Sequence, residues 1–241
     1  MRKFLLVLIA AGLVGCFNLK QYRVTPEYRA LKNKAAIVVF LDPSPRLHHL
    51  QLSPKDSTAT TAALEGWDAG VVTTKFLAKR MRAMGLEVKT LTYTHRDFPN
   101  PYDSSMAYPN FERTRGALAD WGKQNDVDMV VAVYRQVEKD FIGESVENMV
   151  GYGVARHAHE RIDAYAAVYL EALETGSAAM IGNSDGLATI PLDEALWREE
   201  FNVDKTPVPI EGKEAAAMIA KITEALTGAV MLAAQEAGLS H

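Results

Sequence analysis

Blocks of apolar sequence along the chain predict five strands. A continuous apolar run from Ala35 to Leu41 is typical of a strand buried on both faces. A second buried run covers residues 128–134, and residues 86–93 alternate in part. Two strand-like runs, 162–173 and 178–190, flank a short turn that contains glycine, which predicts a hairpin.

Amphipathic segments between these runs predict helices. Apolar side chains recur at helical spacing from about Thr61 to Met84, and Gly85 follows as a cap. Further helices are predicted over residues 110–124, where Asn110 is a candidate N-cap, over a short stretch at 192–200, and over 213–237. We therefore expect an α/β fold: a single domain over residues 34–241 with a mixed β-sheet of about five strands and helices packed on it in two or three layers.

The amino terminus has the layout of a secretory signal. Met1 to Lys3 form a basic head, and the apolar run from Phe4 to Val14 carries no charge. This run is shorter than the roughly 20 apolar residues that a membrane-spanning helix needs. Residues 1–15 are therefore predicted to be a cleaved signal peptide.

Leu13-Val14-Gly15-Cys16 resembles the lipobox of bacterial lipoproteins, in which the cysteine is acylated and becomes the new amino terminus. Cys16 is the only cysteine in the 241 residues, so no disulfide can form within one chain. The alternative is an ordinary signal peptide that happens to contain a cysteine. Phe17 stands where lipoproteins retained at the inner membrane usually carry Asp, so we expect the periplasmic face of the outer membrane.

Residues 16–33 are a predicted linker, and the chain that remains after cleavage carries a net negative charge as a whole. Residues 16–33 are polar and basic after the first positions and lack a sustained apolar period. Loss of Arg2 and Lys3 with the signal leaves 24 basic and 30 acidic side chains, a formal charge of −6. With no basic stripe to neutralise phosphates, nucleic acid is excluded as a partner.

Local sequence and element order are similar to those of a known group of envelope lipoproteins. A lipobox, a first strand at 35–41, a strand at 128–131 after the second helix, and a hairpin with Leu173-Glu174-Thr175-Gly176 resemble the curli-secretion lipoprotein, the amino-terminal domain of TolB, and related lipoproteins that activate peptidoglycan synthases. Glu174 stands where that group usually has Asp.

This resemblance implies a non-catalytic module, bound to the membrane through acylated Cys16, that docks on other envelope proteins and in some members forms homo-oligomeric rings. The curli-secretion branch also inserts membrane-spanning hairpins. Here the corresponding residues, 146–173, contain several charged side chains close together, whereas lipid-facing strands need apolar ones. A pore is therefore disfavoured.

An alternative function is that of a periplasmic serine hydrolase. Gly182-Asn183-Ser184-Asp185-Gly186 fits the pattern of a nucleophile elbow, which requires a strand, a sharp turn and a helix. The sequence after Gly186 is strand-like, and the only histidine beyond Ser184 is the terminal His241. A glycine-bearing bulge or bend in a strand is the favoured interpretation.

A third possibility is a metal-binding lipoprotein. His157 and His159 lie two residues apart and would share a face of an extended strand, which suits zinc or copper. Arg156 and Arg161 flank them and oppose cation binding. The sequence contains no glycine-rich phosphate loop and no cysteine pair, so we predict no metal, no cofactor and no catalytic residue.

Three aromatic residues in a proline-containing loop are candidates for partner binding. Phe98, Tyr102 and Tyr108 lie among Pro99, Pro101 and Pro109. Rigid aromatic side chains make good anchors at protein interfaces because little conformational entropy is lost on binding. The alternative is that these rings fold back and cover the end of a helix.

We predict that Cys16→Ser abolishes lipid attachment, because acylation requires the thiol. The variant should accumulate as uncleaved precursor or leave the membrane fraction, as assessed by fractionation and intact-mass measurement. Normal maturation together with full membrane retention would contradict the anchor.

Overall fold

The computed structural model describes residues 21–102, 111–139, 148–158, 161–202 and 207–241. Four helices are described: α1 (Pro26–Leu31), α2 (Ala69–Ala83), α3 (Phe111–Gln124) and α4 (Gly212–Glu236). The described strands are β1 (Lys34–Phe40), β2 (Arg46–His49), β3 (Thr58–Leu64), β4 (Glu87–Lys89), β5 (Met129–Arg135), β6 (Val137–Lys139), β7 (Asn148–Val150), β8 (Tyr152–Arg156), β9 (Ile162–Glu174), β10 (Met180–Pro191) and β11 (Val208–Ile210).

The predicted α/β fold with a mixed sheet is confirmed, and the expected strand number is wrong. The five predicted strands lie side by side in the order β4-β1-β5-β9-β10, with β1 parallel to both β4 and β5 and with β9 antiparallel to its neighbours. The same sheet continues through β8, β2, β3 and β11 to nine strands, and β6 pairs with β7 as a separate ribbon.

The extra strands join because one edge of β9 is shared by two partners. Residues 168–174 pair with β5, and residues 162–166 of the same edge pair with β8. Ala167 lies at the junction, where its N–H donates to Gly151 O at 2.6 Å and its carbonyl accepts from Gln136 N at 3.0 Å. Gly151 has φ +66°, a conformation that glycine adopts without strain.

The predicted helix at 61–84 begins later in the structure because its first residues form β3. Thr58–Leu64 contains three threonines, a residue type that favours strands, and pairs antiparallel with β2. Gly66, with φ +72°, then turns the chain. The side chain of Asp68 accepts a hydrogen bond from Val71 N and caps α2. The predicted short helix at 192–200 is two 3₁₀ turns.

The helices cover both faces of the sheet, which makes the domain three-layered. One core lies beneath α2 and α4 and is built from alternate residues of the central strands, such as Val131, Val133 and Leu170. The other lies beneath α3 and uses the intervening residues, such as Val130 and Tyr169. This is the arrangement that strands buried on both faces require.

The part of the predicted linker that the structure describes, residues 21–33, is folded onto the domain. Asn183 N donates to Tyr22 O at 3.0 Å, and Val24 N donates to Ala237 O at 2.9 Å. Val24 is buried among the core residues. Arg29 Nη1 donates to the carbonyls of Val24 and Gly238 at 3.1 and 2.5 Å. The polar composition of this segment predicts a linker and gives no indication of these backbone contacts.

Among the described helices, α4 is long and apolar enough to cross a membrane by length and composition, with a mean hydropathy of 1.5 over its best window. A core helix passes the same test. α4 packs against β9, β10 and α2, and its buried residues are Met218, Ile222, Ala225, Leu226, Ala229, Val230, Ala233 and Ala234. It serves here as the central helix of one core.

We predict that Gly186→Ala destabilises the domain by about 3 kcal/mol, at the upper end of the usual cost of overpacking. A Cβ atom on β10 at this position would lie 1.9 Å from Ala229 O, a backbone atom of α4 that cannot move alone. Urea unfolding followed by circular dichroism measures the change.

Gly116→Ala is the matched control. Gly116 is exposed in α3 with open space around its Cβ position, so alanine should raise stability by up to about 1 kcal/mol through helix propensity. Equal stability of the two variants would show that α4 does not approach β10 this closely.

Candidate functional site

A cleft lies at the carboxyl ends of the parallel strands β1 and β5. The chain passes from β1 to β4 through α2 on one face of the sheet, and from β4 to β5 through α3 on the other. In open α/β sheets, crevices for ligands form at the strand ends where connections diverge to opposite faces. The position of the cleft is therefore a consequence of topology.

The cleft has a volume of about 330 Å³ and is bordered by the end of β1, the end of β5 and the loop at 96–102. Its lining residues are Phe40, Leu41, Asp42, Pro43, Arg96, Asn100, Pro101, Tyr102 and Arg135. A second cleft of about 430 Å³ lies across the ridge at 41–43, beside the start of α2.

Arg135 is held on two sides within the cleft. Its Nη1 donates to both carboxylate oxygens of Asp42 at 2.8 Å. Its guanidinium carbon lies 4.0 Å from the centroid of the Tyr102 ring, a cation–π contact. Asp42 also accepts from Arg46 Nη2 at 3.3 Å, and its own carbonyl accepts from Tyr152 Oη at 2.6 Å.

The hydroxyl of Tyr102 bridges the ends of the two strands. It donates to Phe40 O at 3.0 Å and accepts from Arg135 N at 2.6 Å. Burial raises the pKa of Tyr102 well above its ordinary value, so this hydroxyl stays protonated and remains a donor. The loop that carries Tyr102 is thereby fastened over the cleft.

Of the three aromatic residues predicted to bind partners, the structure describes Phe98 and Tyr102. Phe98 is 5% exposed and packs against Phe40, Tyr93 and Trp121, so the expectation of a surface anchor at this position is wrong. Its ring fills the core beneath α3. Tyr102 turns inward to line the cleft, and Tyr108 lies outside the described residues, as does Cys16.

Ser184 does not lie on a nucleophile elbow. It is 6% exposed within β10, which continues to Pro191 where the elbow needs a turn and a helix. Its hydroxyl donates to Glu236 Oε2 of α4 at 2.5 Å. The strand register shifts between Met180 and Gly182, so the favoured interpretation of this segment as glycine-bearing and irregular is confirmed.

His157 is buried beside an ion pair. Its Nε2 lies 3.5 Å from Asp163 Oδ2, and Arg161 forms an ion pair with the same carboxylate, in which its Nη2 donates to Oδ1 at 2.9 Å. His159 lies outside the described residues. Within the described ranges, no group of three His, Cys, Asp or Glu side chains is placed to hold a metal ion. Asp163 is paired with the cation Arg161 and is therefore not placed as a metal ligand beside His157.

Glu171 is a fully buried carboxylate, a feature that often marks a functional site. Desolvation raises its pKa, while the charge of Arg115 opposes that shift. Arg115 Nε donates to Oε2 at 2.9 Å and Tyr134 Oη donates to Oε1 at 2.7 Å. Both oxygens are occupied and neither is exposed, so the pair connects α3 to β9.

The charged residues of the cleft are not among those predicted from the sequence. Asp42 directly follows β1 and Arg135 ends β5, so each lies at the carboxyl end of a predicted strand. Predicted parallel pairing of those two strands would have brought the two side chains to one edge.

Comparisons with known proteins give only low-scoring structural alignments. No protein-family model matches the chain, and no curated protein matches its sequence. XCC0632 from Xanthomonas campestris, assigned to family DUF330, aligns with a TM-score of 0.41 and 9% identity over 83% of this chain and 79% of that one.

Two further solved structures align over similar lengths. PelC from Paraburkholderia phytofirmans, solved as a dodecamer, has a TM-score of 0.34 and 11% identity over 82% of this chain and 86% of that one. CT253 from Chlamydia trachomatis, a hypothetical protein, has a TM-score of 0.35 and 14% identity over 83% and 99%. These scores are too low to support a conclusion about the function or assembly of this chain.

We predict that Tyr102→Phe destabilises the domain by about 1–2 kcal/mol, because Phe40 O and Arg135 N both lose the hydroxyl that joins them. Chemical denaturation gives the change. Tyr28→Phe is the matched control, since its hydroxyl lies 3.4 Å from Asp128 O and should matter less. An equal loss of stability in both variants would contradict a stabilising role for the Tyr102 hydroxyl between the two strand ends.

We predict that Arg115→Met costs about 3 kcal/mol at pH 7, because it leaves the Glu171 carboxylate buried and unpaired. The loss should shrink towards pH 5. Without Arg115 the pKa of Glu171 rises further, the folded state then binds a proton that the unfolded state has lost, and stability falls as pH rises.

Stability measured from pH 5 to pH 8 checks this slope. Arg113→Met, on the exposed side of the same helix, is the control and should change stability by less than about 0.5 kcal/mol at every pH. A loss for Arg115→Met that does not vary with pH would show that Glu171 is not the group left unpaired.

Proposed function

We propose that this protein is a lipid-anchored lipoprotein facing the periplasm from the outer membrane, and that it acts as a non-catalytic binding and assembly component of a cell-envelope complex. Its partners are the membrane, through acylated Cys16, and other envelope proteins or further copies of itself. The lipobox at 13–16 and the resemblance to curli-secretion and TolB-like domains support the proposal from the sequence. The observation that carries it structurally is the short segment between Cys16 and the packed domain.

The chain joins the domain at the edge of the sheet where β1 and β5 begin. Val24 lies against the end of α4, and Tyr22 bonds to the first part of β10. α1 follows along the same edge, where Lys32 Nζ donates to Glu174 Oε1 at 2.5 Å. Lys34 N, at the start of β1, donates to Asp128 Oδ2 at 2.9 Å. We call this surface the amino edge.

The tether to the amino edge is short. Gln21 is the first described residue, and the segment from Cys16 to Gln21 spans at most about 18 Å when fully extended. A domain of this size has a radius of gyration of about 17 Å. A tether no longer than the domain's own radius keeps the amino edge near the membrane and hinders the domain from turning over.

The cleft is then presented to the periplasm. Asp42 and Arg135 lie at the opposite end of β1 from Lys34, about 20 Å away along the strand. A binding component of an envelope complex needs a surface that the bilayer does not cover. Confinement to one layer would also raise its effective concentration for partners in that layer.

Neither alternative function gains support from the contacts of its residues. The Ser184 hydroxyl is engaged by Glu236, and His157 lies beside the ion pair of Arg161 and Asp163. No described contact gives Ser184 an oriented histidine. A function in binding other proteins requires no chemistry at Ser184 or at His157.

We predict that a fluorophore at Gly176→Cys is quenched by lipids with nitroxide headgroups, and that one at Pro43→Cys is not. Gly176 lies in the exposed turn after β9, at the amino edge, and Pro43 is exposed at the opposite edge. Acylation blocks the sulfur of Cys16, so only the introduced thiol reacts. The acylated protein reconstituted in vesicles is the sample.

A long Gly/Ser insertion after Lys20 is the control, and it should remove the difference between the two positions because the domain can then turn freely. Equal quenching at both positions without the insertion would contradict the proposed orientation. Pull-down from solubilised membranes, repeated with Cys16→Ser, tests the adaptor role. Partners retained equally by the unanchored variant would show that tethering is not part of the mechanism.

A further inference from the structure

We propose that the cleft between the ends of β1 and β5 is a binding site for a carboxylate that carries a small apolar group, the chemistry of a peptide's carboxyl terminus. The cleft is bordered by Arg96 and Arg135 on the polar side and by apolar and prolyl side chains elsewhere. This inference rests on the cleft alone and does not require the lipid anchor. It would give the proposed adaptor a defined class of partner.

Arg135 has donors to spare and is already oriented. Its Nη1 is used by Asp42, while within the described ranges its Nε and Nη2 have no hydrogen-bond partner. Contact with the Tyr102 ring holds the plane of the guanidinium, so a ligand would not have to pay the entropy of ordering it. The side chain is 24% exposed, which leaves it accessible from the cleft.

Arg96 supplies a second cation from the facing loop. It is exposed and lines the cleft, and it makes no hydrogen bond or ion pair with any other described residue. The charged lining is thus two arginines against Asp42, which is already engaged by Arg135 and Arg46. This excess of positive charge is local, because the chain as a whole is acidic.

The remaining walls indicate what accompanies the anion. Leu41, Pro43 and Pro101 offer apolar surface, and Tyr102 offers a ring. The volume of about 330 Å³ lies at the lower end of the range for ligand pockets, roughly 300–1,000 Å³. A carboxylate with one small apolar side chain matches the volume of the cleft and also the separation of its lining into a charged part and an apolar part.

The apolar part of the lining favours a carboxylate over a phosphate. A planar guanidinium presents parallel N–H groups that match the two oxygens of a carboxylate, and phosphate shares this match. Phosphate, however, carries no apolar part to contact Leu41 and the prolines. The second cleft, across the ridge, has two aspartates and one lysine in its lining and lacks the charge that an anion needs.

The test is calorimetric titration of the full chain, purified from detergent-solubilised membranes, with N-acetyl-Ala-Leu. We expect saturable binding that weakens as salt is raised, and no binding of the carboxyl-terminal amide of the same peptide. Isovalerate, a free acid with a similar apolar group, separates the two sources of the chemistry. Weaker binding of isovalerate would assign the site to a peptide end, and equal binding would assign it to a small acid.

Arg96→Gln is the principal variant because it disturbs no described contact. Loss of one hydrogen bond to a charged group should weaken binding of N-acetyl-Ala-Leu by about tenfold or more. Arg113→Gln, which removes an exposed arginine from α3, is the matched control and should bind as the unaltered chain does. Arg135→Gln should abolish binding, and circular dichroism must show that this variant is folded.

Three results would overturn the proposal. The amide could bind as tightly as the acid, inorganic phosphate could bind as tightly as the peptide, or no probe could bind the folded chain. Equal weakening by Arg96→Gln and Arg113→Gln would also contradict it, because the effect would then come from overall charge. None of these results bears on membrane orientation, which the quenching experiment decides separately.

Discussion

Backbone pairing along one strand, β9, holds the domain together. Its thirteen residues, all but the last of them buried, carry β10 on one edge and share the other edge between β5 and β8. β9 therefore joins three groups of strands, β4-β1-β5, β8-β2-β3-β11 and β10, into one nine-stranded sheet. Small side chains in β9 and β10 allow α4 to approach closely, to the point that a methyl group at Gly186 would meet the backbone of the helix.

The two ends of β1 serve different purposes in this frame. At its start, the chain arriving from the amino terminus is held by contacts to β10, α4 and the β9–β10 turn. At its end, Asp42, Arg135 and Tyr102 form a connected group that borders a cleft. Because a strand is rigid, the amino edge and the cleft are kept apart by the length of β1, a separation that the proposed membrane anchor and the proposed ligand site both require.

Buried charge in the domain is satisfied locally. Glu171 accepts hydrogen bonds from Arg115 and Tyr134. Asp163 accepts one from Arg161, and His157 lies nearby. Buried ionisable groups often mark functional sites, but each of these groups is enclosed by its own partner. Arg135 and Arg96 differ because the cleft reaches them and, in the described part of the chain, some of their donors are not engaged. Accessible and unengaged donors, rather than burial, mark the candidate site.

The sequence by itself determined the α/β class, the strands β1, β4, β5, β9 and β10, and the helices α3 and α4 to within a few residues, because buried strands and amphipathic helices leave hydrophobic periods that survive without tertiary context. It also predicted α2, but began that helix about eight residues too early. It also carries Leu13-Val14-Gly15-Cys16, and the acylation proposed for this segment depends on Cys16 and not on the fold. The strands β2, β3, β8 and β11 were missed because short or Thr- and Gly-containing segments have weak patterns and become strands only where β9 or a neighbour offers an open edge. The packing of Val24 and the burial of Phe98 were likewise decided by the tertiary structure. The tertiary structure also decided the contact between Asp42 and Arg135, which are 93 residues apart. Contacts between distant segments depend on strand order, which local sequence does not encode.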